Sequence, residues 1–195
     1  MTTTRWTFVR HGQSTANAEG WYAGHTDAPL SELGRLQART ARAAIDTLDL
    51  DRALCSDLVR ATETASILLG GRDIPLVIDA ALRERSCGDW EGRTIVHLTE
   101  TGDLALFHTF DGCPPAGESL RAVAVRALGR LADDAHGGHV LVVCHGALMR
   151  TVIGVLDDID RGKLGLWKPD NCETVTRDVD ADRLRRLAVA LVDGR

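Results

Sequence analysis

The stretch FVRHGQSTAN, residues 8–17, carries an apolar run into an arginine and a histidine and then turns on a glycine. Together with the residues before it, RWTFV at 5–9 reads as a strand, so Arg10 and His11 stand at its carboxyl end. In open α/β sheets ligands bind beyond the carboxyl ends of the strands. What matters is which other segments bring matching groups to that edge.

Two further strand candidates end in comparable residues. DRALC (51–55) runs into Ser56-Asp57, with Arg60 in the next helical turn, and HVLVVC (139–144) runs into His145-Gly146. IPLVID (74–79) is another apolar strand candidate. Between them the period lengthens to that of a helix. SELGRLQARTARAAIDTL, from Ser31, predicts a helix with Leu33, Leu36, Ala43 and Leu48 near the core. Ser56 or Asp57 is expected to cap a second, with Leu58, Ala61, Ala65 and Leu68 inward down to Gly70-Gly71. A third runs from Ser119 with Leu120, Val123, Ala124, Ala127, Leu128 and Leu131 on one stripe, and a fourth follows Gly146. The tail CETVTRDVDADRLRRLAVALV reads as two strands about a turn near Asp180, with Leu187, Val189 and Leu191 alternating.

Strands separated by helices predict an α/β fold with a mostly parallel central sheet and helices on both faces. With 195 residues and no proline- or serine-rich linker, the chain reads as a single domain over 1–195, carrying a weakly periodic insertion or lid at about 93–117. A net charge of -5 gives no general attraction for nucleic acid. No segment approaches the ~20 apolar residues of a membrane span, and the start MTTTRWTFVR lacks a signal-peptide pattern. A cytoplasmic location is the expectation, without nucleic-acid or membrane partners. The five cysteines are scattered without a C-x-x-C pair and are read as reduced and mostly buried. In HGGH at 136–139 the glycines point to a surface turn rather than a metal pair.

If the three strands are parallel, Arg10, His11, Arg60 and His145 share one pocket with two helix amino termini. Free backbone N–H groups and the helix dipole favour an anion there. Guanidinium groups make paired, charge-assisted bonds to phosphate oxygens, so a phosphoryl group suits the set, and Gly12 lets the backbone pass close to it. A neutral imidazole can attack phosphorus, and neighbouring cations disfavour its protonated form. Those cations also meet the charge of a loose phosphoryl transition state, so no metal and no cofactor are called for.

VRHGQSTAN, CSDLVRATETA, LRERSCGDWEG, PAGESL and VVCHGALMR together resemble, in order, the motifs of the histidine phosphatase superfamily, the phosphoglycerate mutase-like proteins. The resemblance covers roughly residues 5–178 and implies that family's three-layer sandwich. It also implies that His11 is the nucleophile and that Arg10, Arg60 and His145, with Gly146 at the helix start, hold the phosphoryl group. Asn17 matches an asparagine that orients the site and contacts phosphate, and Glu84 matches the proton donor, with Glu91 as the nearby competitor.

Phosphatases, mutases and inactive binders all belong to that family. Between Arg93 and Arg121 there is no intervening lysine or arginine, whereas Glu100, Asp103, Asp111 and Glu118 occur there with His97 and His108. That charge predicts a phosphomonoester with a neutral or zwitterionic organic part. The expected function is therefore hydrolysis of a small phosphomonoester, in general likeness to the alpha-ribazole and broad-specificity phosphatases. A phosphoglycerate mutase-type transferase and a non-catalytic phosphate-binding module are the alternatives. A homodimer is left open.

Overall fold

The computed structural model describes residues 2–102, 107 and 109–194. Its sheet contains β1 (Thr3–Arg10), β2 (Arg52–Cys55), β3 (Leu76–Ile78), β4 (His139–Cys144) and β5 (Thr174–Asp180), in the order β3-β2-β4-β1-β5. Neighbours are parallel except β5, which runs antiparallel along the outer side of β1. The helices are α1 (Thr15–Glu19), α2 (Glu32–Asp46), α3 (Val59–Leu69), α4 (Ile95–Glu100), α5 (Leu120–Asp133), α6 (Gly146–Leu156) and α7 (Ala181–Val192). The α/β architecture with a mostly parallel sheet is the expected one.

The central strands are apolar on both sides because both faces are covered. Trp6, Phe8, Leu54, Val140 and Val142 pack against Leu128 of α5, Leu148 and Val152 of α6 and Leu184 of α7. The alternate residues Val9, Ala53, Cys55, Leu141 and Val143 pack against Ile45 of α2 and Ala61, Ala65 and Leu68 of α3. Each large apolar side chain buried this way contributes ~1.5–3 kcal/mol against exposure. This two-sided packing locks β1, β2 and β4 side by side, so their carboxyl ends stay aligned.

Three local expectations are overturned. On α2, Leu33 and Leu36 are 49% and 53% exposed and Ala43 is exposed too, whereas Gly34, Ala38 and Ile45 are buried. The small residues win because α2 comes very close to the loop after β1. A Cβ on Gly34 would overlap the Gln13 carbonyl oxygen, and one on Gly12 would overlap that of Gly34. Neither Ser56 nor Asp57 caps α3: the N-cap is Leu58, and the Val59 N–H donates to Asp27 Oδ1 at 2.9 Å. After β5 the chain forms a helix rather than a strand. Asp180 is its N-cap, accepting from Arg183 N, and the spacing of Leu184, Leu187, Ala188 and Leu191 lays one face on the core while Val189 is exposed.

Within the insertion, Asp103 and His108 lie outside the described residues. At HGGH, Gly137 and Gly138 adopt φ of 90° and 75° and form the turn that leads into β4. No helix among the described residues is long and apolar enough to cross a membrane. The cysteines are free: Cys55, Cys87 and Cys144 are buried, Cys172 is half-buried and Cys113 is exposed.

Candidate active site

Strand register assembles the site. Arg10 lies opposite Cys144 and Cys55 opposite Val143, so the residues that follow each strand leave the sheet together. His11 N donates to Cys144 O at 2.9 Å and Ser56 N to Val143 O at 3.1 Å. The His11 and His145 rings meet edge to face with centroids 5.1 Å apart. A cleft of about 260 Å³ opens at this edge, and Arg10, His11, Asn17, Arg60, Glu84 and Gly146 are among its lining residues. His145 is fully buried behind it.

Each side chain is held by partners that define what remains available. His11 Nδ1 is 2.6 Å from Gly12 O. A carbonyl only accepts, so Nδ1 carries the proton and the neutral ring keeps its lone pair on Nε2. Arg10 donates from one terminal nitrogen to Pro169 O at 2.6 Å, and its buried Nε has no partner. Arg60, in the first turn of α3, is held by Thr26 O at 3.1 Å and Gly24 O at 2.8 Å. Asn17 uses Oδ1 to accept from Ser14 N at 3.2 Å in a capping box, which leaves its amide NH₂ for the cleft. His145 Nε2 hydrogen-bonds Ser56 Oγ at 2.8 Å, and its buried Nδ1 has no partner.

Burial, then the charges of Arg60 and Arg10, pushes the His11 pKa well below its ordinary value. His145 is lowered in the same way by burial, Arg60 and His11. Unfolded histidines take up a proton near pH 6.5, whereas these two stay neutral to lower pH. Below that value the unfolded state binds more protons and folding stability falls, by up to ~1.4 kcal/mol per pH unit for each ring. The Tm of the ligand-free protein is thus expected to drop between pH 7 and 5, and His11→Asn with His145→Asn to flatten most of the drop. His139, also lowered chiefly by burial, accounts for a further part. An unchanged slope in the double variant would refute this assignment.

The two helix amino termini do hold anions, but the anions belong to the chain. Ala147 N and Leu148 N of α6 donate to the Glu84 carboxylate at 3.1 Å, as Arg85 N does at 2.9 Å. Asp27 occupies the start of α3. The backbone of Glu84 is fixed too, its carbonyl accepting from His25 Nε2 at 2.8 Å and Arg126 at 2.9 Å. Glu91 is spent elsewhere, accepting from His25 N, Thr26 Oγ1 and Cys87 N. Burial alone would raise its pKa, yet those bonds, led by Thr26, hold it below the usual carboxylate range.

Other lining residues escaped the sequence reading. Arg85 is fully buried, lies 4.3 Å over the Phe107 ring and donates to the carbonyls of Phe107, Gly112 and Glu118. Arg150 and Lys168 also line the cleft, as does Cys87, whose thiol burial pushes up to about 12. Arg150 follows Gly146 by four residues, one helical turn, a signal present in VVCHGALMR. Lys168 comes from a loop and had no such signal.

The acidic roof expected of the insertion is absent from the described lining. Glu118 pairs with Arg126 at 2.9 Å and Asp111 with Arg121 at 2.5 Å, while Glu100 points to solvent. None of the three lines the cleft, where Glu84 is the sole carboxylate among the described lining residues.

Comparison with known proteins places this geometry in context. The family model of the histidine phosphatase superfamily (branch 1) matches residues 6–190. The chain is 36% identical over 180 residues to an adenosylcobalamin/alpha-ribazole phosphatase of Salmonella typhimurium, covering 85% of this chain and 89% of that protein. It is 32% identical over 186 residues to a 2,3-bisphosphoglycerate-dependent phosphoglycerate mutase 2 of Gloeobacter violaceus, covering 89% and 85%. A mycobacterial glucosyl-3-phosphoglycerate phosphatase solved with VO3 superposes with a TM-score of 0.82 at 28% identity, over 89% of this chain and 92% of that one.

Proposed function

Because the chain belongs to the histidine phosphatase superfamily (branch 1), we propose that it hydrolyses a small phosphomonoester through a phosphohistidine formed on His11, with Glu84 as proton donor and no metal. Phosphatase-named relatives support phosphatase activity in general. The observation that carries the mechanism is His11 itself: buried, neutral, its proton fixed on Nδ1 by Gly12 O, and flanked by two guanidinium groups.

In this reading Arg10, Arg60, His145 and Asn17, with the start of α6 at Gly146, bind the equatorial phosphoryl oxygens. His11 Nε2 forms a bond to phosphorus as the ester P–O bond breaks, and the leaving oxygen takes a proton from Glu84. The charged phosphoimidazole keeps its Nδ1–H on Gly12 O. The Glu84 carboxylate then takes a proton from water, whose oxygen attacks phosphorus. The P–N bond breaks, and neutral His11 and phosphate are regenerated. The Arg10 and Arg60 guanidinium groups stabilise the transition-state charge.

Steady release of phosphate from p-nitrophenyl phosphate in EDTA is the expected result. Activity abolished by EDTA and restored by a divalent metal would overturn the metal-free mechanism. Interconversion of 3- and 2-phosphoglycerate primed by the bisphosphate, without net phosphate release, would make the protein a mutase. Phosphate-dependent binding without turnover would make it a sensor.

A further inference from the structure

We propose that Ser56 is a positioning residue whose hydroxyl sets the tautomer of His145, holding the ring's proton on Nδ1 so that this neutral imidazole donates to the phosphoryl group. This rests on the phosphoryl-binding reading of the site above and assigns a task to a residue that does not itself line the cleft.

Two buried imidazoles with opposite duties meet at this edge of the sheet. His11 must offer a lone pair, and Gly12 O secures it by accepting the Nδ1 proton. His145 must offer a proton to an anion, yet burial and then the Arg60 guanidinium disfavour its charged form. A neutral ring has one N–H and one lone pair. The nitrogen that carries the proton therefore decides whether a phosphoryl oxygen meets a donor or a repelling lone pair.

The hydrogen bonds of Ser56 decide between the two tautomers. Ser56 is fully buried at the end of β2, where its backbone N–H donates to Val143 O, and the pairing of Cys55 with Val143 brings it beside His145. Among the described residues its Oγ has two partners: it accepts from Leu58 N at 3.3 Å and lies 2.8 Å from His145 Nε2. The Leu58 amide cannot accept the hydroxyl hydrogen, which leaves Nε2 as its acceptor. With the ring proton on Nε2 instead, the buried Ser56 hydrogen would have no acceptor and the Nδ1 lone pair no donor. Such orphaned groups are costly. With Ser56 O–H donating to Nε2, the hydroxyl is fully used and the ring proton sits on Nδ1, a buried atom without a partner among the described residues. An equatorial phosphoryl oxygen supplies the missing acceptor.

The same hydroxyl joins His145 to the phosphoryl-binding arginine. Leu58 is the N-cap of α3, and Arg60 stands in the first turn of that helix. The serine that the sequence offered as the cap of α3 is thus spent on a histidine from another strand.

Nitrogen-15 NMR of the histidine-labelled protein reads the tautomer directly, with His145→Asn identifying the signals. The wild type should show a protonated Nδ1 and an unprotonated Nε2 at His145, and Nδ1–H should shift when inorganic phosphate is added. Ser56→Ala should lose this single tautomer and bind phosphate ~10- to 100-fold more weakly by calorimetry, the worth of one hydrogen bond to a charged group. Ser56→Thr, which keeps the hydroxyl, should restore both. In the His145→Asn background Ser56→Ala should weaken phosphate binding no further, whereas a merely structural serine would cost the same in either background. A proton on Nε2 in the wild type overturns the proposal even if Ser56→Ala fails to fold. Unchanged phosphate affinity in Ser56→Ala, or an undiminished loss in the His145→Asn background, overturns it as well. None of these readouts needs turnover. If they hold while the wild type hydrolyses no ester, the phosphatase reading fails and the role of Ser56 stands; if hydrolysis proceeds with the proton on Nε2, the reverse holds.

Discussion

His11→Ala should lower kcat for p-nitrophenyl phosphate by ~10,000-fold or more, the scale seen when a covalent nucleophile is removed. Substrate binding should survive much better, because Arg10 and Arg60 are anchored independently, by Pro169 O and by Gly24 O with Thr26 O. The fall should therefore appear in kcat rather than KM. Brief reaction of the wild type with labelled substrate and an acid-free quench should trap phosphorus on the protein, in a linkage labile to acid and stable to base. The variant should trap none. Retention of more than a tenth of the wild-type rate would remove His11 from the nucleophile's role.

Glu84→Gln carries the second-largest expected effect, and the substrate should decide its size. Proton donation contributes ~100- to 10,000-fold where the leaving group is a poor one. An alkyl phosphate should lose kcat/KM on that scale, whereas p-nitrophenyl phosphate, whose phenolate departs without help, should lose far less. The glutamine amide can still accept from Ala147 N and Leu148 N, so the loop should stay in place. A uniform fall on both esters would mean that Glu84 positions the start of α6 instead. A large effect of Glu91→Gln on the alkyl ester, with none at Glu84, would transfer the acid's role; the three donors already bound to Glu91 argue against it.

Residues whose role depends on local chain direction were readable without coordinates. Each of β1, β2 and β4 is a short apolar run, and the groups just beyond them, Arg10, His11 and His145, had to reach one edge once the strands were parallel. Arg60 followed from its place in the helical turn after β2 and Glu84 from motif order, and the structure brings both to the same cleft. What escaped was decided by close approach or by pairing. Leu33 and Leu36 look like core on any periodic count, yet a glycine contact between α2 and the loop at Gln13 turns a different face inward. In the tail, alternating Leu187, Val189 and Leu191 suit a strand as well as a helix, and the Asp180 cap decides for the helix. Of the insertion's acids, Glu118 and Asp111 are held by Arg126 and Arg121 away from the described lining, and a sequence shows charges but not such pairings. At the helix starts, carboxylates of the chain accept from Ala147 N, Leu148 N and Val59 N, a pairing that the order of residues does not show.

The pairing of β1 with β4 at the middle of the sheet has a kinetic consequence. It joins residues more than a hundred positions apart, and the last segment seals it, with Asn171 donating to His11 O and Cys172 N to Arg10 O. No early, local piece of the chain holds a working set of reactive groups, so a nascent polypeptide acquires its chemistry only when its final quarter has docked. Contacts of such long range make folding slow and the final closure cooperative. Denaturant that opens the sheet should silence the enzyme in the same step, which makes turnover a faithful gauge of the fully folded population.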